Sequence, residues 1–185
     1  MAFGVVLDAC VLIPMATCDV LLRAAQRNLY RIHWSAMILD EVERNLGNLG
    51  IPPEKAAARV AAMRASFARA EVIGFEDYIP LMPNHPKDRH VLAAAVVAGA
   101  ELIVTANLKD FRTAGTSQQH IRAEHPDDFL EHLYGLYPQQ MVEIIEAQSA
   151  ALRKNGRQWH PADILNGLEK QECKKFVALL HPHFP

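Results

Sequence analysis

Cysteine is scarce in this chain. The three residues, Cys10, Cys18 and Cys173, are odd in number, and no pair has the spacing of a zinc motif. That excludes a disulfide framework and fits a reducing compartment. No secretory leader is expected either, because M-A-F-G-V-V-L-D has no basic stretch before its apolar run. Long hydrophobic runs are absent. The longest, Val91–Ala100, falls far short of the roughly 20 residues that a membrane span needs. The expectation is a soluble, cytoplasmic protein with no membrane partner. An excess of one charge is lacking too. Net charge is −2, so bulk electrostatics argues neither for nor against nucleic acid.

The composition that remains is that of an ordinary globular protein, 50% hydrophobic and 22% charged over 185 residues. That length predicts one domain with at most a small appendage. F-G-V-V-L (3–7) reads as a buried strand, followed by a helix over 11–28 with Pro14 in its first turn. L-Y-R-I-H-W (29–34) reads as a second strand, and Ser35 as the N-cap of a helix reaching Leu46. In residues 53–70, Ala56, Val60, Met63 and Phe67 form one apolar helical stripe. A short strand at 71–75, a proline-rich loop, an apolar helix over 87–98 closed by Gly99, and the strand 101–105 follow. This alternation predicts an α/β fold with a parallel sheet and helices on both faces.

Beyond residue 124 the character changes. Residues 124–146 carry six acids and no Lys or Arg. No further strand is expected there, only helices starting at P-D-D-F-L and over 138–153 and 161–180, with G-R-Q-W-H-P as a break.

Ligands of a parallel α/β sheet sit outside the carboxyl ends of its strands. Asp8 directly follows the first strand. Asp88 opens the helix that leads to strand 101–105, and Asn107 and Asp110 follow that strand. Glu41 lies on the helix after the second strand, beside a buried arc of Ile38, Leu39, Val42, Leu46 and Leu49. Glu43 borders the other edge, so periodicity does not choose between the two. Carboxylates without basic partners repel one another, and a hard cation such as Mg²⁺ or Mn²⁺ makes such a set tolerable. It also suits in-line phosphodiester displacement. Taken singly, each acid reads as a strand-end, cap, solvated or turn residue. Jointly, the four fall at one sheet edge, which those readings do not explain.

L-D-A-C-V-L-I-P, S-A-M-I-L-D-E-V-E-R-N-L, H-P-K-D-R-H-V-L-A-A-A and L-I-V-T-A-N-L-K-D-F resemble, in order, the motifs of PIN-domain nucleases, with the closest similarity to VapC-type toxins of toxin–antitoxin systems. The resemblance implies a PIN-like three-layer α/β/α fold with a central parallel sheet over residues 1–130, and a C-terminal helical extension over 131–185. It implies a Mg²⁺- or Mn²⁺-dependent endoribonuclease (a hydrolase of RNA phosphodiester bonds) restrained by a cognate protein antitoxin, and a homodimer. Carried over by motif, Asp8, Glu41, Asp88 and Asp110 are the catalytic acids, with Asp8, Asp88 and Asp110 holding metal. The family register places the helix acid at Glu41. Asn107 stands where many relatives have an acid, so Asp110 takes the fourth position with Thr105 and Asn107 supporting. Lys87 and Arg89 are candidates to meet substrate phosphates, and His85 a weaker candidate to touch substrate. The other histidines read as structural or solvent-exposed, Trp34 and Trp159 as packing residues.

Two other readings follow from the residues. Asn107 in place of an acid suggests a PIN-fold RNA- or protein-binding module with weakened chemistry. An Asp after the first strand also occurs in receiver domains and haloacid-type hydrolases. The first of these wants paired acids earlier in the chain and the second D-x-D, and here the run is D-A-C.

Overall fold

The computed structural model describes residues 3–111, 120–154 and 157–184. In chain order its elements are β1 (Gly4–Leu7), α1 (Ala9–Leu12), α2 (Met15–Gln26), β2 (Arg31–Ser35), α3 (Ala36–Asn48), α4 (Pro53–Ser66), β3 (Glu71–Val72), α5 (Arg89–Ala98), β4 (Leu102–Val104) and β5 (Arg122–Glu124). Then come α6 (Pro126–Leu136), α7 (Pro138–Ala151), a two-residue hairpin pair β6 (Arg153–Lys154) and β7 (Arg157–Gln158), α8 (Pro161–Lys170) and α9 (Lys174–Leu180). Short 3₁₀ turns cover Glu76–Leu81, Pro86–Asp88 and Leu108–Phe111.

These elements form two compact units, Met1–Ile13 with Tyr30–Glu124, and Pro14–Leu29 with His125–Pro185. The first holds the sheet. Among the described residues it has five strands in the order β3-β2-β1-β4-β5, every neighbouring pair parallel. Its centre is the apolar run read from the sequence. Val5, Val6 and Leu7 are fully buried, as are Ile103 and Val104. A parallel strand covered on both faces wants such a run, and burying each side chain is worth about 1.5–3 kcal/mol. The fold is thus the expected α/β/α class with a parallel central sheet and a helical C-terminal region.

Several local signals hold. The Ser35 side chain accepts the Ile38 N–H and caps α3. Gly99 closes α5 in the left-handed conformation at φ 60°, where an L side chain is strained. Ala56, Val60 and Met63 are buried along α4.

Other expectations need correction. The helix over 11–28 is two helices, because Pro14 is extended and serves as the N-cap of α2. It has no N–H with which to continue α1. The helix over 161–180 breaks at Glu172, whose φ is 63°. The 53–70 helix stops at Ser66 and the 71–75 strand keeps only two residues, since Gly74 turns the chain at φ 75°. Leu49 is 69% exposed, not part of the buried arc. It lies one residue past the end of α3, so the helical period no longer applies to it. The strand β5 was not anticipated, nor was the small hairpin beside the G-R-Q-W-H-P break (Gly156 of that break lies outside the described residues).

The second unit is helical apart from that hairpin. Its ends are tied by side chains from distant positions. Gln171 accepts from the Thr17 N–H and hydroxyl at 2.9 and 2.7 Å, at the start of α2. The Asp127 carboxylate accepts the Lys175 and Phe176 N–H groups at 3.0 and 2.9 Å, serving two orphan donors of α9.

Candidate metal centre

The strand order turns back on itself at β1, since β2 and β3 lie to one side and β4 and β5 to the other. A crevice at the carboxyl ends of the strands forms at such a reversal. Asp8 and Thr105 are the residues that leave β1 and β4 there. Their backbones continue the ladder, the Asp8 N–H to the Val104 carbonyl at 3.1 Å and the Thr105 N–H to the Glu124 carbonyl at 3.0 Å.

Asp8 is 3% exposed, and two donors hold its carboxylate. The Thr105 hydroxyl donates to Oδ2 at 2.7 Å and the Cys10 thiol to the same atom at 3.1 Å. Burial, reinforced by the Asp8 charge, pushes the Cys10 thiol up to about 12. It therefore stays protonated and keeps donating. Thr105 is in turn oriented by the Asn107 N–H at 3.0 Å. Asn107 acts here through its backbone, because its carbonyl also accepts the Asp110 N–H at 3.0 Å. The short helix α1 behind Asp8 is pinned by Arg59 of α4, which donates to the Leu12 and Ile13 carbonyls at 2.6 and 3.1 Å.

Asp88 is 4% exposed at the junction between the 3₁₀ turn and α5. It occupies the N-cap position of α5 but makes no side-chain capping bond. The reading of this acid as a helix cap is corrected here. His85 caps the preceding turn instead, accepting the Lys87 N–H at Nδ1. The Asp88 carboxylate is left over, and its Oδ2 is buried with no hydrogen-bond partner. Burial raises its pKa above the usual carboxylate range, and the charges of Asp8 and Asp110 raise it further. Lys87 opposes that shift, and Glu41 adds to it. The four acids picked from the sequence therefore share one electrostatic neighbourhood.

Asp110 does not point away. Ligand atoms of His85, Asp88 and Asp110 all lie within 4.8 Å of one another. The two loops that carry them are stitched by the His85 N–H to the Asp110 carbonyl at 3.3 Å. Glu41 is half-buried, and its Oε2 stands 3.7 Å from Nε2 of His90. His90 is 7% exposed, with Nδ1 3.1 Å from the Lys87 carbonyl. Sequence reading had classed His90 with the scattered histidines. Its proximity to Glu41 depends on packing between helices, which no local pattern signals. Asn84 was missed as well. It is 1% exposed, both polar atoms of its side-chain amide lack partners, and its backbone carbonyl accepts from Arg89 Nε at 3.2 Å. Lys87 is exposed and Arg89 half-buried beside the cluster.

An unpartnered buried carboxylate oxygen, like charges within mutual reach and a second carboxylate with an imidazole nearby make an unfavourable set on their own. A divalent cation resolves it, so the residues present fit one.

The profile of the PIN domain matches residues 4–109. The chain belongs to the PIN-domain family. A second profile, described as the VapC50 C-terminal domain, matches residues 126–182. The chain is 49% identical over 76 residues to a Mycobacterium tuberculosis protein named "Putative ribonuclease VapC50". The matched stretch covers 41% of this chain and 45% of that relative, less than half its length. No solved structure matches the chain. Among the described residues of this PIN-domain protein, no helix is long and apolar enough to cross a membrane.

Proposed function

We propose that this PIN-domain protein is a Mg²⁺- or Mn²⁺-dependent endoribonuclease, and that it acts in the cytoplasm as the toxin of a toxin–antitoxin pair. The observation that carries the reading is the buried, unpartnered oxygen of Asp88 among Asp8, Asp110 and Glu41. The word ribonuclease in the name of the M. tuberculosis relative supports RNA as the substrate, and a protein antitoxin as the partner follows from the resemblance to VapC-type toxins. Homodimerisation belongs to the same reading. All catalytic groups lie within residues 1–130, with 131–185 as the helical extension.

Asp8, Asp88 and Asp110 would hold the cation. When bound, it neutralises these carboxylates, makes water more acidic and offsets charge on the phosphoryl oxygens. Thr105 and Cys10 fix the Asp8 carboxylate, so its orientation costs nothing at the moment of reaction. Glu41 takes the proton of the attacking water. The water oxygen bonds to phosphorus as the bond from phosphorus to the leaving ribose oxygen breaks, and that oxygen takes a proton from solvent. Lys87 and Arg89 meet the non-bridging oxygens of the chain and position it. The alternative of a binding module with weakened chemistry rests on Asn107. The proximity of Asp110 to Asp88 and His85 favours the catalytic reading, because an acid is supplied from three residues further on.

Incubation with a total RNA pool tests this. Fragments are expected with Mn²⁺ or Mg²⁺ and none with excess chelator, and mapping of their ends identifies the substrate. Intact RNA in saturating Mn²⁺, or cleavage that survives chelation, would count against the reading.

A further inference from the structure

The acids account for charge at this centre, but not for the imidazole among them. His85 is exposed, and one of its ring nitrogens lies within the 4.8 Å group formed with carboxylate oxygens of Asp88 and Asp110. The group has a second mark of a missing partner, the buried Asp88 Oδ2 without a hydrogen bond. The position of His85 is set independently of its side chain, by its N–H to the Asp110 carbonyl at 3.3 Å and by Pro86 opening the next turn. Its ring does little structurally. The bond that Nδ1 accepts from the Lys87 N–H is 3.4 Å, the long limit for such a bond. Both residues are exposed, so water replaces that bond if the ring reorients or changes tautomer.

We propose that His85 is a cation ligand together with Asp88 and Asp110, and that it makes this centre prefer Mn²⁺ to Mg²⁺. The proposal rests on the metal-dependent reading above and adds to it the selectivity of the site. Mg²⁺ takes oxygen ligands and gives up water reluctantly, so an imidazole offers it little. Mn²⁺ takes carboxylate oxygen as Mg²⁺ does, but as a first-row transition ion, though the weakest of its series, it also accepts an imidazole nitrogen that Mg²⁺ holds poorly. Two carboxylates with one imidazole therefore discriminate where an all-acid set would not.

The test measures binding, separately from cleavage. Mn²⁺ affinity is read from loss of the free-ion EPR signal, and Mg²⁺ affinity from calorimetry, for the wild type, His85→Asn and His85→Ala. Asparagine can still accept the Lys87 N–H and offers oxygen in place of nitrogen. Both variants are expected to weaken Mn²⁺ binding about tenfold or more and to leave Mg²⁺ within about threefold, with His85→Asn moving the preference toward Mg²⁺. Pulsed EPR of bound Mn²⁺ is expected to show nitrogen modulation in the wild type and none in either variant. Equal losses for both ions, unchanged Mn²⁺ affinity, or nitrogen modulation that persists in the variants would overturn the role of His85. If the wild type binds neither ion, the metal-dependent reading falls with it. If it binds both without nitrogen modulation, only the role of His85 falls.

Discussion

Asp8→Asn is expected to abolish cation-dependent RNA cleavage while leaving the protein folded. The substitution separates charge from packing. An asparagine oxygen can still accept the Thr105 hydroxyl and the Cys10 thiol, which both bond Oδ2 in the wild type. The negative charge is what disappears, and with it one of the three carboxylates proposed to hold the cation. Cation assistance in such reactions is worth several kcal/mol. Each 1.36 kcal/mol is tenfold in rate, so a loss of about 10²–10³-fold or more is expected. Cleavage assays at matched Mn²⁺, with circular dichroism to establish folding, check it. A folded Asp8→Asn protein with undiminished activity would remove Asp8 from the mechanism.

Asp88→Asn is expected to stabilise the protein without a cation and to remove its stabilisation by one. In the wild type, burial and the charges of Asp8 and Asp110 raise the Asp88 pKa. Between the unfolded value, about 3.9, and the raised folded value, the folded state binds more protons than the unfolded one. Stability therefore falls as pH rises through that window, and the deficit persists above it. At neutral pH the amide relieves the deficit. The gain is read as a higher Tm in chelator, each 1 kcal/mol being roughly 2–4 °C in a chain of this size. A cation at 100 times its Kd adds about 2.7 kcal/mol to a protein that binds it, and this increment is expected in the wild type but not in Asp88→Asn. Thermal unfolding between pH 4 and 8, with chelator and with Mn²⁺, reads both effects. A lower Tm for the variant in chelator, or an equal Mn²⁺ response in both proteins, would contradict this assignment.

A residue that gains stability when its charge is removed is retained for something other than folding. Asp88 carries that signature, and much of the site around it was legible in the sequence. Asp8 stands immediately after an apolar run that reads as a buried strand, and Asp88 opens a helix whose far end is marked by Gly99. Such positions follow from local signals, because strand ends and caps are set within a few residues. Glu41 needed the family register, since Glu43 is half-buried too. The grouping of Asp110 with Asp88 came from the family motifs and not from any local signal. In the structure it follows from the 3₁₀ turn at Leu108–Phe111 and the bond between the His85 N–H and the Asp110 carbonyl.

The remainder was hidden for related reasons. β5 is three residues, R-A-E, at the edge of the sheet, too short and too polar for any periodicity to show. His90 reads as one histidine in an apolar helix, and only the packing of α5 near α3 brings it to Glu41. The failure of Asp88 to cap its helix could not be foreseen from composition, which favours an acid there for its own sake. That helix α2 belongs to the same compact unit as α6–α9 is likewise tertiary information. It is carried by contacts such as those of Thr17 with Gln171, more than 150 residues apart.

The most direct test is anomalous diffraction from crystals saturated with Mn²⁺. The expected result is a peak in contact with the carboxylates of Asp88 and Asp110, lost in Asp88→Asn. Crystals of an active protein, saturated with Mn²⁺ and showing no peak at this cluster, would contradict the claim that these acids hold the cation.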